Sequence, residues 1–296
     1  MNVERRFVLT DVFGKSRYAG NQLATFLNCM SFSEMEMQRI AREINFSETT
    51  FITSGLQENG GFNVRIFTPG AEVDFAGHPT LGTAFVIRKY LLPNDANQII
   101  LNLNVGQVPV TFQKKNGTEI LWMKQISPDF GNTYSIQELS KILQINEDAF
   151  DLRMPIQEVS TGLPAMIVPL MNKSAVSKVN INREAYWQLI NKGAAKVILV
   201  FAPGGYEFGQ DLSVRIFPIA YGIDEDPATG SGNGCLAAYL LKHRYFHSDQ
   251  IDVTVGQGFE MGRPSELYLK AGHENGSIAV QVGGQVHAVA KGQWEF

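Results

Sequence analysis

Two segments of the chain place apolar residues on one side of a helix. Residues 33–44 begin with Ser33 and Glu36 at the spacing of a capping box, with apolar residues at positions 37, 40, 41 and 44. Ser135 and Glu138 repeat that signal before apolar residues at 139, 142 and 143. The pattern predicts two amphipathic helices.

Short β-branched runs predict strands that outnumber the helices, as in an α+β fold. The clearest runs are residues 99–105, 196–201, 277–282 and 285–290. The last two are predicted to be joined by a turn at Gly283-Gly284.

Two other segments, Leu81 to Leu91 and Cys235 to Leu241, are apolar on nearly every face. A helix of that kind is buried on all sides. Pro79 suits the first position of a helix, which predicts His78 as the N-cap of the first of these two helices. We therefore expect sheets that each wrap one central helix.

An internal repeat organises the chain. The sequence Val-Arg-Ile-Phe at 64–67 recurs at 214–217, and Val-Gly-Gln at 105–107 recurs at 255–257, both at an offset of 150 residues. The elements between these words follow the same order, so duplication is favoured over coincidence. The prediction is two pseudo-symmetric lobes, each a mostly antiparallel sheet curled around a central helix.

Proline, glycine and asparagine cluster at residues 125–132 and predict the boundary between the lobes. The predicted lobes are residues 1–127 and 128–284, with the last strand, about 285–296, packing with the first lobe. Ligand pockets favour such boundaries, so the active site is expected in the cleft between the lobes.

Composition and charge exclude several classes of function. The chain has 296 residues, 44% hydrophobic and 18% charged, with a net charge of -4 and no long basic run, which argues against a nucleic-acid partner. No stretch reaches the roughly 18 apolar residues that cross a membrane, and the first residues lack a signal-peptide pattern. We therefore expect a soluble, cytoplasmic protein with no membrane partner.

Cysteine and histidine usage argues against a metal site. The two cysteines, Cys29 and Cys235, have no ligand-type spacing, and only His243 and His247 stand four residues apart. That pair is more typical of a solvated helix end, so no metal is expected.

Two glycine-containing loops precede the buried helices. Gly77-His78 opens the first, and residues 224–234, which include Asp226, Gly230 and Ser231, open the second. Backbone donors and positive partial charge at a helix N-terminus bind carboxylates and stabilise developing anions. Mere helix capping is the alternative for each loop taken alone.

Glu48 stands between Phe46 and Phe51, just after the first amphipathic helix. An apolar setting raises the pKa of a carboxyl group towards neutrality, as a general acid/base requires. The local pattern alone is more typical of a solvated loop residue.

These clusters together resemble the PhzF family of phenazine-biosynthesis isomerase-like proteins, which share the diaminopimelate-epimerase fold. The resemblance covers essentially the whole chain and rests on four motifs: residues 19–21, residues 41–49, Phe67-Thr68-Pro69 leading to Gly77-His78, and residues 226–231. It implies that Glu48 is the acid/base, that His78 and Asp226 assist it, and that Gly77, Gly230 and Ser231 bind substrate. It also implies a homodimer that needs no cofactor.

The expected function is isomerisation of a small, cyclic carboxylate, in which Glu48 moves a proton from one carbon to another. One alternative is a two-base epimerase or racemase that pairs Glu48 with Asp226. Another is a carboxylate-binding protein without catalysis. A two-thiol racemase is disfavoured because Cys235 lies inside a predicted helix and the first loop has no cysteine.

Overall fold

The computed structural model describes residues 5–93, 96–115, 117–191 and 193–295. Residues 1–4 of the first predicted lobe, and residue 296 of the strand predicted to pack with it, lie outside the described residues. The chain divides into a first unit, residues 1–124 with 283–296, and a second unit, residues 125–282.

The first unit contains nine strands and two α-helices among its described residues. The strands are β1 (Arg6–Val12), β2 (Asn21–Phe26), β3 (Glu48–Leu56), β4 (Gly61–Phe67), β5 (Glu72–Val73), β6 (Gln98–Leu103), β7 (Gly106–Lys115), β8 (Thr118–Lys124) and β17 (Val286–Gln293). The helices are α1 (Glu34–Ile44) and α2 (Gly77–Tyr90).

Strand pairing defines the sheet of the first unit. Its order is β17-β1-β2-β3-β4-β6-β7-β8, with β5 also paired to β4. The pairs β2/β3 and β4/β6 are parallel and the others are antiparallel. Helix α2 contacts seven of these strands, β1, β2, β3, β6, β7, β8 and β17, so the sheet curls around it.

The second unit repeats this architecture. Its strands are β9 (Asp129–Tyr134), β10 (Ile156–Ser160), β11 (Pro164–Pro169), β12 (Val197–Pro203), β13 (Leu212–Phe217), β14 (Gln250–Gln257) and β15 (Ser265–Glu274). Its helices are α3 (Ile136–Leu143), α4 (Lys173–Lys178), α5 (Arg183–Ile190) and α6 (Gly230–Lys242). Strand β16 (Ser277–Gly284) follows β15, and its last two residues, 283 and 284, belong to the first unit.

The pairing order of the second unit matches that of the first. It runs β9-β10-β11-β12-β13-β14-β15, with β11/β12 and β13/β14 parallel and the other pairs antiparallel. Helix α6 contacts β10, β11, β12, β14 and β15. The predicted α+β fold, with a mostly antiparallel sheet around a central helix in each repeat, is confirmed.

Only one of the two repeated sequence matches lies at equivalent positions in the two units. Residues 64–67 and 214–217 occupy equivalent strands, β4 and β13. The second match is wrong: Val105 and Gly106 lie at the turn from β6 into β7, whereas residues 255–257 end strand β14. The loops between these elements differ in length, so one offset does not hold along the whole repeat.

Local sequence signals explain the two outer helices. Ser33 and Glu36 form a capping box at the start of α1, and Ser135 and Glu138 form one at the start of α3. Both predicted boxes are confirmed. Their side chains satisfy backbone donors that helix ends leave without partners.

The central helices begin differently. Both α2 and α6 are buried along nearly their whole length, as predicted, but neither has a side-chain cap. The prediction of His78 as N-cap is wrong, since Ala76 is the N-cap and His78 is the second residue of α2. Pro79 is tolerated at the third position because the first N–H groups of a helix have no intrahelical acceptor.

The predicted turn at Gly283-Gly284 is also wrong. Both glycines belong to strand β16, and only Gln285 separates β16 from β17. A Cβ on Gly283 would lie 2.6 Å from the Trp122 ring, so glycine here permits close packing on an aromatic ring.

Candidate active site

Glu48 is the first residue of strand β3, where the chain returns from α1 to the sheet. Helix α1 ends at Ile44, and Asn45 adopts the left-handed conformation (φ 54°) that closes many helices. Glu48 then pairs in parallel register with Leu23 of β2. Its side chain is 17% exposed, so the carboxylate combines partial burial with access.

His78 faces Glu48 from the start of α2. Its Nε2 lies 3.4 Å from Oε2 of Glu48, and its side chain is only 5% exposed. Burial lowers the pKa of His78 from 6.5 to about 3, against a smaller opposing effect of a hydrogen bond with the backbone of Gln22. The imidazole is therefore neutral near pH 7.

The contacts of the His78 ring indicate which of its two nitrogens carries the proton. Since Nε2 of His78 faces Glu48, the bond to the Gln22 backbone assigns the ring proton to Nδ1. Nε2 then carries no proton and lies 3.4 Å from Oε2 of Glu48, a contact that does not have hydrogen-bond geometry. A carboxyl group beside a ring nitrogen without a proton is an arrangement that can take up or release one proton.

Buried hydroxyl groups join the elements that carry this pair. Thr83 of α2 donates to Thr50 of β3 at 2.8 Å, and Thr50 donates to Thr25 of β2 at 3.0 Å. All three residues are fully buried. The position of α2 relative to Glu48 is therefore fixed by satisfied polar contacts as well as by packing.

The start of α6 carries the second group of predicted residues. Thr229 is the N-cap, Gly230 is the first helical residue and Ser231 is the second. Neither α2 nor α6 has an acidic residue in its first turn. The positive end of each helix dipole is thus not offset by a nearby carboxylate of its own helix, which suits anion binding.

Asp226 is buried (6% exposed) in the loop that leads into α6. Its backbone N–H donates to the Ile216 carbonyl at 3.0 Å, and its carboxylate accepts a short hydrogen bond from the Thr229 hydroxyl. Gln257 donates to the backbone carbonyl of Asp226 at 2.7 Å. Asp226 is held by contacts on both its backbone and its side chain.

The contacts of Gln257 and Asn233 in this arrangement were not predicted from the sequence. The fully buried Gln257 accepts a hydrogen bond from Asn233 of α6 at 2.8 Å. Asn233 also donates to the Thr229 carbonyl at 3.0 Å. No local pattern marks either residue, because their contacts join positions 24 residues apart.

An arginine–glutamate pair braces the loop before each central helix. Arg65 of β4 binds Glu72 (Nε to Oε1, 2.7 Å), and Arg215 of β13 binds Glu225 (Nε to Oε1, 2.9 Å), and in each pair Nη2 donates to the second carboxylate oxygen. In both repeats the glutamate stands five residues before the first residue of the central helix. The Arg–Glu pair is thus a duplicated support for the helix N-terminus.

This equivalence also shows where the repeats differ. Val73 pairs with Ile66, and Asp226 pairs with Ile216, so valine and aspartate take the same place. His78 lies five residues after Val73, and Ser231 lies five residues after Asp226, so His78 of α2 corresponds to Ser231 of α6. The first unit therefore carries a histidine where the second has serine, and the second an aspartate where the first has valine.

Neither cysteine has the properties of a catalytic base. Burial raises the pKa of the Cys235 thiol, and it raises that of Cys29 to about 12. Both thiols stay protonated at neutral pH. Within the ranges that the structure describes, no group of three or more His, Cys, Asp or Glu residues could hold a metal ion.

His243 and His247 lie at the end of α6. His243 is the residue that follows its last turn, and its Nε2 lies 2.9 Å from Oε1 of Gln157. His247 has a left-handed backbone (φ 55°), so the two do not share a helix face.

A search of the described residues for membrane-spanning helices finds none with the required length and apolar character.

Comparisons with known proteins show the family and the fold that the chain resembles. The family model described as phenazine biosynthesis-like protein, PhzC-PhzF, matches residues 10–292. A trans-2,3-dihydro-3-hydroxyanthranilate isomerase from Pseudomonas aeruginosa is 34% identical over 291 residues, which cover 97% of this chain and 98% of that protein.

Two solved structures place the fold. A phenazine biosynthesis protein of the PhzF family from Bacillus anthracis has a TM-score of 0.91 at 25% identity and covers 99% of this chain and 100% of its own. A probable proline racemase from Agrobacterium radiobacter K84 has a TM-score of 0.63 at 9% identity, covering 98% of this chain and 93% of that one. The latter likeness concerns the fold alone.

Proposed function

The chain belongs to the PhzC-PhzF family of phenazine biosynthesis-like proteins, and from this premise we propose that it moves a proton between two carbons of a small cyclic carboxylate without a cofactor. It is an isomerase, and the named isomerases among its relatives support a small acid as its substrate. The reaction and the residue roles given below are the proposal.

The contact between Glu48 and His78 carries this proposal. A partly exposed carboxylate lies 3.4 Å from a buried, neutral imidazole at the start of a helix. Glu48 as carboxylate takes a proton from an acidic carbon of the substrate, and the electron pair of the C–H bond moves into an enolate. The protonated Glu48 then returns the proton to another carbon, so the net reaction neither gains nor loses a proton.

His78 assists in a defined way. Because its ring is neutral and Nε2 faces Glu48, it accepts a hydrogen bond from the protonated carboxyl group between the two steps. Protonation of Glu48 is then stabilised without a second charge in the site. The backbone donors at Gly77 and His78 stabilise the negative charge on substrate oxygens.

The second unit supplies substrate binding in this proposal. Gly230 and Ser231 provide the start of α6 for the carboxylate, and Asp226 polarises the developing enol. The hydrogen bond from Thr229 and the backbone contacts of Asp226 support that role by fixing its position.

Proton NMR in deuterated water tests the proposal. The wild-type protein and Glu48→Gln are incubated with trans-2,3-dihydro-3-hydroxyanthranilate, the substrate in the name of the Pseudomonas relative, and with other cyclic carboxylates. We expect deuterium to enter a carbon position, and the isomer to form, only with the wild type. Equal turnover by Glu48→Gln would refute the role of Glu48.

The same experiment separates the alternatives. Inversion at one stereocentre without movement of a double bond would favour a two-base epimerase that uses Glu48 and Asp226. Saturable binding of a carboxylate with no exchange would favour a protein that binds and does not catalyse.

A further inference from the structure

The side-chain amide of Gln125 is almost completely buried. It is 6% exposed, and neither Nε2 nor Oε1 has a hydrogen-bond partner anywhere in the described ranges of the chain. Burying an amide without partners destabilises a fold, because both groups lose their hydrogen bonds to water. Such a group therefore requires an explanation.

The side chain of Gln125 lies against the first turns of α6. Its Cγ and Oε1 are 3.0 and 3.2 Å from where a Cβ of Gly234 would stand, and Thr161 Oγ1 is 3.1 Å from the same point. Thr161 also donates to the Ser231 carbonyl at 3.4 Å. Glycine at position 234 thus lets the amide approach the end of α6 that carries Gly230 and Ser231.

Gln157, in the same unit, shows how a structural glutamine differs. It is 9% exposed, its Nε2 donates to the Gly131 carbonyl at 3.2 Å, and its Oε1 lies 2.9 Å from Nε2 of His243. Both ends of that amide are satisfied by the protein. Burial alone therefore does not leave a glutamine without partners in this unit.

We propose that Gln125 is a specificity residue that binds a hydroxyl or amino group of the substrate carboxylate. An amide presents one donor group and one acceptor. A carboxylate only accepts, so it would leave Oε1 unsatisfied, whereas a hydroxyl or amino group both donates and accepts. This inference rests on the proposed function, since it places the substrate at the start of α6.

Two matched substitutions test the inference. Gln125→Met and Gln157→Met each replace an amide with an apolar side chain of similar length. Thermal unfolding is measured for both, and calorimetry measures the binding of 2-amino-3-hydroxybenzoate and of benzoate to the full chain.

The expected results have opposite signs. Gln125→Met unfolds at a higher temperature than wild type, by about 2 °C or more, because it removes an unsatisfied buried amide. It also loses the wild-type preference for 2-amino-3-hydroxybenzoate over benzoate, which we expect to be about tenfold. Gln157→Met unfolds at a lower temperature and keeps that preference.

Three results would overturn the inference: an unchanged preference in Gln125→Met, a loss of stability as large as that of Gln157→Met, or a wild type that binds neither probe or does not distinguish them. The proposed function is judged separately by deuterium exchange. Exchange with an unchanged preference would reject the role of Gln125 alone, and a lost preference without exchange would reject catalysis alone.

Discussion

The two central helices begin alike in backbone and differ in chemistry. Each follows an arginine–glutamate pair, starts with glycine and lacks a side-chain cap. The start of α2 pairs His78 with Glu48, whereas the start of α6 is surrounded by Asp226, Thr229 and neutral amides. A repeat can therefore keep one support for a helix N-terminus while its two copies acquire different groups.

The largest expected effect is a loss of turnover, and it should differ between the residues at the two helix starts. Glu48→Gln should lower turnover by roughly 10²- to 10⁴-fold, the usual contribution of a general acid/base. Asp226→Asn should cost less, because the amide keeps its size and polarity. Steady-state and single-turnover rates of both variants measure the difference, and a larger loss in Asp226→Asn would reverse the assignment.

The two arginine–glutamate pairs should differ in stability. Arg215 and Glu225 have side chains 9% and 15% exposed, against 28% and 22% for Arg65 and Glu72. Glu225→Gln leaves the buried Arg215 charge with only the more distant Glu260 at 4.0 Å and should lower the free energy of unfolding by about 3 kcal/mol. Glu72→Gln should cost about 1 kcal/mol, since a more exposed pair is screened and Arg65 keeps Glu34 at 2.9 Å.

Urea unfolding of these two variants, monitored by tryptophan fluorescence, measures both values. The conservative variants Glu225→Asp and Glu72→Asp serve as controls, because they retain the charge. Equal losses in Glu225→Gln and Glu72→Gln would show that burial does not distinguish the pairs.

Acid should weaken the second unit through Glu158. Hydrogen bonds from Tyr134 (2.6 Å) and the Ala195 N–H (2.9 Å) outweigh burial and lower its pKa below 4.5. A lowered pKa in the folded state gives stability that is present above the unfolded pKa and is lost as the pH falls through the folded pKa. Unfolding temperatures measured from pH 6 downwards should fall less in Glu158→Gln than in wild type, relative to each protein's own value at pH 6.

The smallest expected effect concerns the missing cap of α2. In Ala76→Asp, a carboxylate at the N-cap would accept from the His78 N–H, because Pro79 has none, and should stabilise the protein by about 1 kcal/mol. The same carboxylate would compete with an anionic substrate. Unfolding and carboxylate binding are measured together, and tighter binding would contradict anion binding at this helix start.

The sequence predicted features that depend on neighbours along the chain. Both capping boxes and both buried helices follow from residues a few positions apart, and the strand Val64–Phe67 has its equivalent in the second unit. The roles of the predicted site residues remain predictions. The equivalence of residues 105–107 and 255–257 was wrong because identical residues were aligned without knowledge of the sheet register.

The rest depends on contacts that only the folded chain creates. His78 was placed two positions too early, as N-cap instead of second helical residue, because proline is compatible with several positions in a first turn. Gln257 and Gln125 carried no signal, since a glutamine's importance lies in whether its amide finds partners after burial. Sequence patterns report which side of an element is buried, and they do not report which polar groups meet there.

The path of the chain through the first unit has a consequence for its synthesis. Strand β17, the last of the chain, pairs with β1, the first, from Arg6 to Val12. Until residues 286–293 have left the ribosome, β1 lacks its neighbour on one edge, while residues 125–282 form a continuous segment that emerges earlier. The unit that carries Glu48 is thus begun before the second unit and completed after it, and loss of β17 would expose β1, which pairs with it.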